Sequence, residues 1–408
     1  MPSLDVLLLD GQYRQALACM RVYAQQGLSV GVVACESEAH LVPSSRSRWC
    51  SMSATVPDFD RDPSAYVDAV LSLAARTGAA MVLPAHDGSI EVVRRRREEF
   101  AATCALPLAS DAALDIALSK ERTLALASEL GIEVPESVGV FEPAEAIEAV
   151  NKTGLPAVLK PLNPWVVDAH GRGTRLVSEL ITTAEDASRR LEAMLEAGAS
   201  AALLQPWLPG RREAVSLFRA DGRIWARFAQ VSHREWPVLG GATVFCESIP
   251  LAPDITEASE RLVEAMDLDG CSMVEFRRDR EGRPVLMEVN ARMGSSVGLA
   301  VRAGVDLPSL LYAWARGDRL RSTSGYRIGE RMRWLVGDMW YLNTAFARQP
   351  GPDVPTPTRA VTTVLRDFAV RPSRFDRSSV TDPLPMLAEL NHAVRFHALP
   401  KVRRALTK

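Results

Sequence analysis

The chain has 408 residues, 47% of them apolar, enough to bury more than one hydrophobic core, so two or three globular domains are expected. Its 48 Lys and Arg nearly balance 50 Asp and Glu, and a net charge of −2 gives no overall reason to expect nucleic acid or an anionic membrane as partner. No uncharged apolar run reaches the length of a membrane span, and six scattered cysteines without a C-x-x-C pair suit reduced thiols in a cytoplasmic protein.

The opening MPSLDVLLLDG lacks a basic stretch and carries Asp5 and Asp10 around a short apolar run, as expected of a buried strand rather than a secretory signal. Apolar runs then alternate with helical patterns: DVLLLD, YRQALACMRVYAQQG, SVGVVA, AYVDAVLSLAARTG, AAMVLPA and a charged helix ending near Phe100. This rhythm predicts an open parallel sheet. Only Gly11 follows the first strand, where a dinucleotide-binding turn needs three glycines, so NAD and FAD are not expected. From Asp111 the pattern predicts a helix SKERTLALASELG, a strand near Val138, a helix PAEAIEAVNKTG and a strand LPAVLKPL. The glycine-containing loop NPWVVDAHGRG follows, then a strand TRLVSEL, a helix from Ala184 to about Ala197, and a strand ALLQPWLPG.

Beyond it, Asp221-Gly222 predicts a hairpin turn between EAVSLFRA and RIWARFAQVS. A helix ITEASERLVEAM precedes two strands, CSMVEFRRD and RPVLMEVNAR, and a helix LPSLLYAWARG follows them. From Arg319 onward, 16 Lys and Arg stand against seven Asp and Glu, so the tail is basic: a solvated face, a subunit contact or a site for an anionic partner. Within it RMRWLVGDMWYLNTAF is too apolar to lie exposed and should pack on the core or a second subunit, and the Pro-rich stretch Gln349 to Pro357 reads as a linker. The histidines are isolated, and no Cys/His cluster offers a zinc site.

Pairing CSMVEFRRD with RPVLMEVNAR about the short DREGR turn sets Glu275 opposite Glu288, with residue 277 facing 286 and 279 facing 284. Asn290, two residues beyond Glu288, shares their face. Facing carboxylates call for a counter-charge, and hard oxygen donors suit magnesium; the alternative is solvent-facing acids on an amphipathic hairpin. Arg292 lies beside them and opens RMGSSVG, a candidate anion-binding helix start; a structural ion pair is the other reading. Lys160 ends the apolar strand AVLK, where a lysine has few ordinary partners, whereas Lys120 at a helix start is unexceptional by itself. The loop from Pro164 to Gly173 can close over phosphates with backbone donors or be an ordinary loop.

The order of these elements, a lysine helix, a strand ending in lysine, a glycine loop, Q-P-W-L-P-G, then VEF followed by EVNAR, resembles the ATP-grasp superfamily. The resemblance spans nearly all of residues 1–318. It implies a mixed α/β and α+β fold: a pre-ATP-grasp α/β domain (1–108), a lid region (109–200), a core with the metal site (201–318) and a basic C-terminal extension (319–408). It makes Lys120 and Lys160 phosphate-binding lysines, and Trp165 to Gly173 the flap. Gln205, Trp207 and Leu208 become the adenine-contacting linker and Glu213 the ribose acid. Pro206 departs from the pattern, occupying a place where an acid is frequent. Glu275, Glu288 and Asn290 match the magnesium ligands, with manganese as a substitute, and Arg292, with Lys160, the groups that steady the phosphoryl in transfer.

HREWPVLGGATVFCESI resembles the substrate-side region of predicted carboxylate-amine ligases, to which D-aspartate ligases are similar. His233, Arg234 and Glu235 there are candidates to face substrate. Asp87, in the loop AHDGS after an apolar strand, either orients an amine or caps the following helix. The implied activity is ADP-forming ligation of a small carboxylate to an amine or thiol through an acyl phosphate, without nucleic acid or membrane insertion, and with homodimerisation left open. A phosphotransferase or carboxylase on the same fold, or a non-catalytic nucleotide binder, is the alternative.

Overall fold

In the computed structural model the described residues are 3–162, 165–167, 173–176, 178–238, 240–347, 354–370, 373–377 and 380–395. The N-terminal alternation forms a parallel sheet of β1 (Val6–Leu8), β2 (Val30–Cys35), β3 (Cys50–Val56) and β4 (Met81–Leu83), ordered β3-β2-β1-β4. β1, β2 and β4 are buried along their whole length, as central parallel strands between helices are. β3 lies at the edge with alternate residues exposed, and its polar pattern is why it escaped the reading of the sequence. The charged helix expected to end near Phe100 is two helices, Asp87–Arg94 and Arg97–Ala101.

The segment expected to form the lid carries β5 (Val138–Val140), β6 (Ala157–Pro161), a hairpin of β7 (Trp165–Val167) and β8 (Gly173–Arg175), then β9 (Glu179–Ile181) and β10 (Ala202–Pro206). Its main sheet is ordered β5-β10-β6-β9 and packs against helices Pro143–Thr153 and Ala184–Glu196 through its own core, including Val140, Leu159, Leu191 and Leu204. The rest of the expected glycine flap, between β7 and β8, lies outside the described residues.

The largest sheet has seven strands: β11 (Arg212–Ala220), β12 (Arg223–Trp236), β13 (Ala242–Ile249), β14 (Gly270–Arg278), β15 (Pro284–Asn290), β16 (Arg331–Arg333) and β17 (Arg374–Phe375), ordered β15-β14-β11-β12-β13-β16-β17. Asp221 and Gly222 turn the β11–β12 hairpin with φ of 53° and 72°, the positive values its tight turn requires. Phe218, Phe228, Cys246 and Cys271 on one face join Leu17, Met20 and Tyr23 of the helix Arg14–Gln25 in a single core, which ties the N-terminal sheet to the large one. Val215, Leu217, Val274 and Phe276 on the other face are covered by helices Asp111–Ala117, Lys120–Glu129 and Pro253–Ala265.

The first part of the apolar tail segment packs on this core, where β16 extends the large sheet and Trp334 and Val336 bury against Val244 at the start of helix Leu335–Phe346, whereas Met339 and Phe346 are exposed, contrary to expectation. Of the expected linker, residues 349–353 lie outside the described residues, and Pro357 opens the helix Pro357–Ala369. Asp376 and Asp382 bind Arg14 and Arg21, both at 2.9 Å, fastening the tail to the N-terminal helix. All six cysteines are free thiols, and no helix among the described residues is long and apolar enough to cross a membrane.

Candidate active site

The face of the large sheet that meets the N-terminal helix is apolar at one end and polar at the other. β14 and β15 set Glu275 directly opposite Glu288 and Met273 opposite Asn290, so the two acids and the amide share the polar end. Past Glu275 the expected register is corrected. A bulge between Glu275 and Phe276 makes Phe276 face Leu286 and Arg277 face Val285, one residue from the 277–286 pairing. The bulge leaves the acid pair in place.

Around that pair the charges form a line across neighbouring strands. Arg277 Nη2 donates to Glu235 Oε2 at 2.5 Å, Glu235 Oε1 lies 3.3 Å from Arg212 Nε, and Arg212 Nη1 donates to Glu275 Oε2 at 3.1 Å. On the far side Asn290 Nδ2 donates to Glu288 Oε1 at 3.3 Å. Arg292 Nη2 donates to Asn290 Oδ1 at 3.0 Å, and the Arg292 fork grips both oxygens of Asp87 at 2.8 and 2.7 Å. Sign alternates along this line except where Glu275 faces Glu288. Burial, with the neighbouring Glu288 and Glu235 charges adding to it, pushes Glu275 up to about 7 against the pull of Arg212. Glu288 sits below the usual carboxylate range despite its burial, because Lys120, Arg212 and Lys160 favour its charge. Two facing carboxylates with a side-chain amide beside them are hard donors of the kind that suits magnesium, the amide oxygen here being held by Arg292. Among the described residues no group of three His, Cys, Asp or Glu could hold a metal ion.

Lys160 reaches this place from the lid. It is 8% exposed, and burial, with Lys120 and Arg277 repelling it against the attraction of Glu288, pushes its ammonium down to about 7. Lys120 opens its helix behind the Ser119 cap. Three cations near one carboxylate form a locus that a polyanion stabilises.

Gln205 is buried in β10, its Nε2 donating to Ser137 Oγ at 2.7 Å, and the Trp207 amide donates to the Pro156 carbonyl at 3.1 Å, so Trp207 and Leu208 form the connection from lid to large sheet. Glu213 points opposite to Arg212 along β11 and accepts from Arg278 at 2.8 Å. Asp87 does not cap its helix; His86 does, accepting from the Gly88 amide at 3.1 Å, which frees the Asp87 carboxylate for Arg292. Arg234 is buried at 4% exposure, donating to Asp338 at 2.7 Å and Asp367 at 2.8 Å, so it serves the packing of the C-terminal extension. His233 meets Glu247 at 2.9 Å. Arg212 was missed altogether, since nothing in RREAVSL distinguishes one arginine from the next; its place follows from β11 lying between β14 and β12.

Residues 199–335 match the family model described as ATP-grasp in the biosynthetic pathway with Ter operon. No curated protein matches the sequence significantly. Among solved structures, the biotin carboxylase domain of Hydrogenobacter thermophilus 2-oxoglutarate carboxylase, in complex with MgADP and bicarbonate, is 16% identical over 81% of this chain and 74% of its own, with a TM-score of 0.61. N5-carboxyaminoimidazole synthetase from Staphylococcus aureus is 14% identical over 86% and 88%, with a TM-score of 0.59. L-amino acid ligase from Bacillus licheniformis is 15% identical over 81% and 79%, with a TM-score of 0.58.

Proposed function

We propose, from the premise that this chain is an ATP-grasp protein, that it joins a small carboxylate to an amine at the expense of ATP, through an acyl phosphate. The observation that carries the reading is the single break in charge alternation, where Glu275 faces Glu288 beneath the cations Lys120 and Lys160. Glu275, Glu288 and Asn290 would hold magnesium, which when bound supplies charge neutralisation between the phosphates. Lys120 and Lys160 bind the phosphates, and Arg292 orients the oxygens of the acyl phosphate.

The chemistry follows from the poor reactivity of a carboxylate. Its oxygen attacks the γ-phosphorus, the bond to the ADP oxygen breaks, and ADP departs. The amine nitrogen then attacks the acyl carbon, phosphate leaves, and the nitrogen gives up a proton. The chain needs no covalent nucleophile. Its residues position the reactants and keep water from the mixed anhydride.

A hydroxylamine trap tests this. Amino acids and other small acids, singly and in pairs, are screened for ADP release, and the active acid is then incubated with ATP and hydroxylamine but no amine. A hydroxamate is expected, with slow turnover that the partner amine accelerates. ADP release with a phosphate ester that survives hydroxylamine would reject the ligase reading in favour of a phosphotransferase.

A further inference from the structure

Among the described residues Arg212 is the one guanidinium that touches a carboxylate of the facing pair. It leaves β11 at its first residue, between β14 and β12, and divides its donors among three acceptors. Nη1 binds Glu275 Oε2 at 3.1 Å, Nη2 binds Thr243 Oγ1 at 2.6 Å, and Nε lies 3.3 Å from Glu235 Oε1. The side chain is 14% exposed, and those of Glu275 and Glu235 are each 7% exposed, so the bonds are screened little by water. Glu235 is itself fixed from the other side by Arg277, whose Nη1 donates to the Gly210 carbonyl at 2.9 Å. A planar fork held at two other points can approach Glu275 from only one direction.

We infer that Arg212 and Glu235 are positioning residues for the metal. Arg212 occupies Oε2 of Glu275, fixing its rotamer so that Oε1 is the oxygen presented beside Glu288, and Glu235 anchors Arg212 while balancing its charge. Groups behind a ligand commonly set its orientation and basicity, and their loss costs about 10–100-fold in metal affinity. The inference rests on the magnesium reading of Glu275 and Glu288.

The test is Mn2+ binding to the full chain, followed by the EPR signal of free Mn2+, alone and with a non-hydrolysable ATP analogue. Arg212→Met is expected to weaken Mn2+ binding by about 10–100-fold, with Arg212→Lys and Glu235→Gln each losing about tenfold. Affinity for the analogue without metal should change by under about threefold, since Arg212 acts through Glu275. A folded Arg212→Met that binds Mn2+ as wild type overturns the inference. So does a variant whose metal-free nucleotide affinity falls as far as its Mn2+ affinity, because Arg212 is then a phosphate ligand. If Arg212→Met does not fold, Glu235→Gln decides by the same criteria. Glu288→Gln separates the two levels: if it too leaves Mn2+ binding untouched, the metal site itself is wrong, whereas loss there beside normal binding in Arg212→Met rejects the positioning role alone.

Discussion

Two regions bury charge, and they do so oppositely. In the C-terminal extension every described acid is countered by arginine. Asp338 bridges Arg234 and Arg333, Asp367 takes a second bond from Arg234, and Glu389 holds Arg377 at 2.9 Å. The guanidiniums also lie against rings, Arg333 over Phe245 and Phe368 and Arg234 between Phe245 and Tyr341. At the polar end of the large sheet acid faces acid, and Lys160 is repelled by Lys120 and Arg277. Full pairing serves a fold that must stay shut, whereas a local surplus of like charge costs stability and gains it back when a ligand of opposite sign arrives. The basic composition of the tail therefore misleads: its few acids are the buried structural groups.

The largest expected effect lies on the paired side. Asp338→Ala leaves Arg234 and Arg333 buried without their shared partner, and unfolding free energy should fall by about 3–5 kcal/mol, read from denaturant midpoints. Activity per folded molecule should be retained. Unchanged stability would mean that the extension holds on by apolar contact alone.

Glu288→Gln is the converse. Turnover should fall by at least about a hundredfold if Glu288 is the anionic metal ligand proposed above. Stability should fall by less than in Asp338→Ala, because the charge that Lys120, Arg212 and Lys160 favour in the folded state is gone while Glu275 is relieved of its facing carboxylate. Glu275, pushed up to about 7 from 4.5, makes the wild type lose stability as pH rises through that range, as a raised acid must, and the loss should be shallower in Glu288→Gln. Undiminished ADP release by the folded variant would sink the metal assignment.

Much of the site is legible in sequence because its key pair is local. Thirteen positions and a short turn bring Glu275 to Glu288, and period-two alternation adds Asn290. What escaped depends on sheet order or long-range contact. Arg212 reaches Glu275 only because β11 lies beside β14; Asp87 meets Arg292 across the seam between the N-terminal sheet and the large one, with 205 positions between them. Arg234 reads in sequence as a candidate to face substrate because its carboxylate partners, Asp338 and Asp367, lie in the tail, 104 and 133 positions away. The bulge that shifts Arg277 onto Val285 has no glycine to announce it.

The smallest effect is a proton. Folded Lys160, burdened by burial and by Lys120 and Arg277, holds its proton only to about pH 7, whereas an unfolded lysine holds it to 10.5, so stability should climb with pH between those values. Lys160→Met should be more stable than wild type near neutrality, with the gap closing as pH approaches 10.5. Bound triphosphate reverses the imbalance and restores the ammonium, so ATP binding without metal at pH 8 should take up close to one proton. Calorimetry in buffers of different ionisation enthalpy measures it directly. ATP and Glu275 are both largely ionised at that pH, so neither releases a proton that would mask the uptake, and a Lys160 variant tells the lysine from Glu275 as the acceptor. Lys160→Arg should bind ATP with no uptake, because arginine never gave its proton up. Uptake persisting in that variant would move the titrating group elsewhere, and its absence in the wild type would mean that phosphate does not reach Lys160.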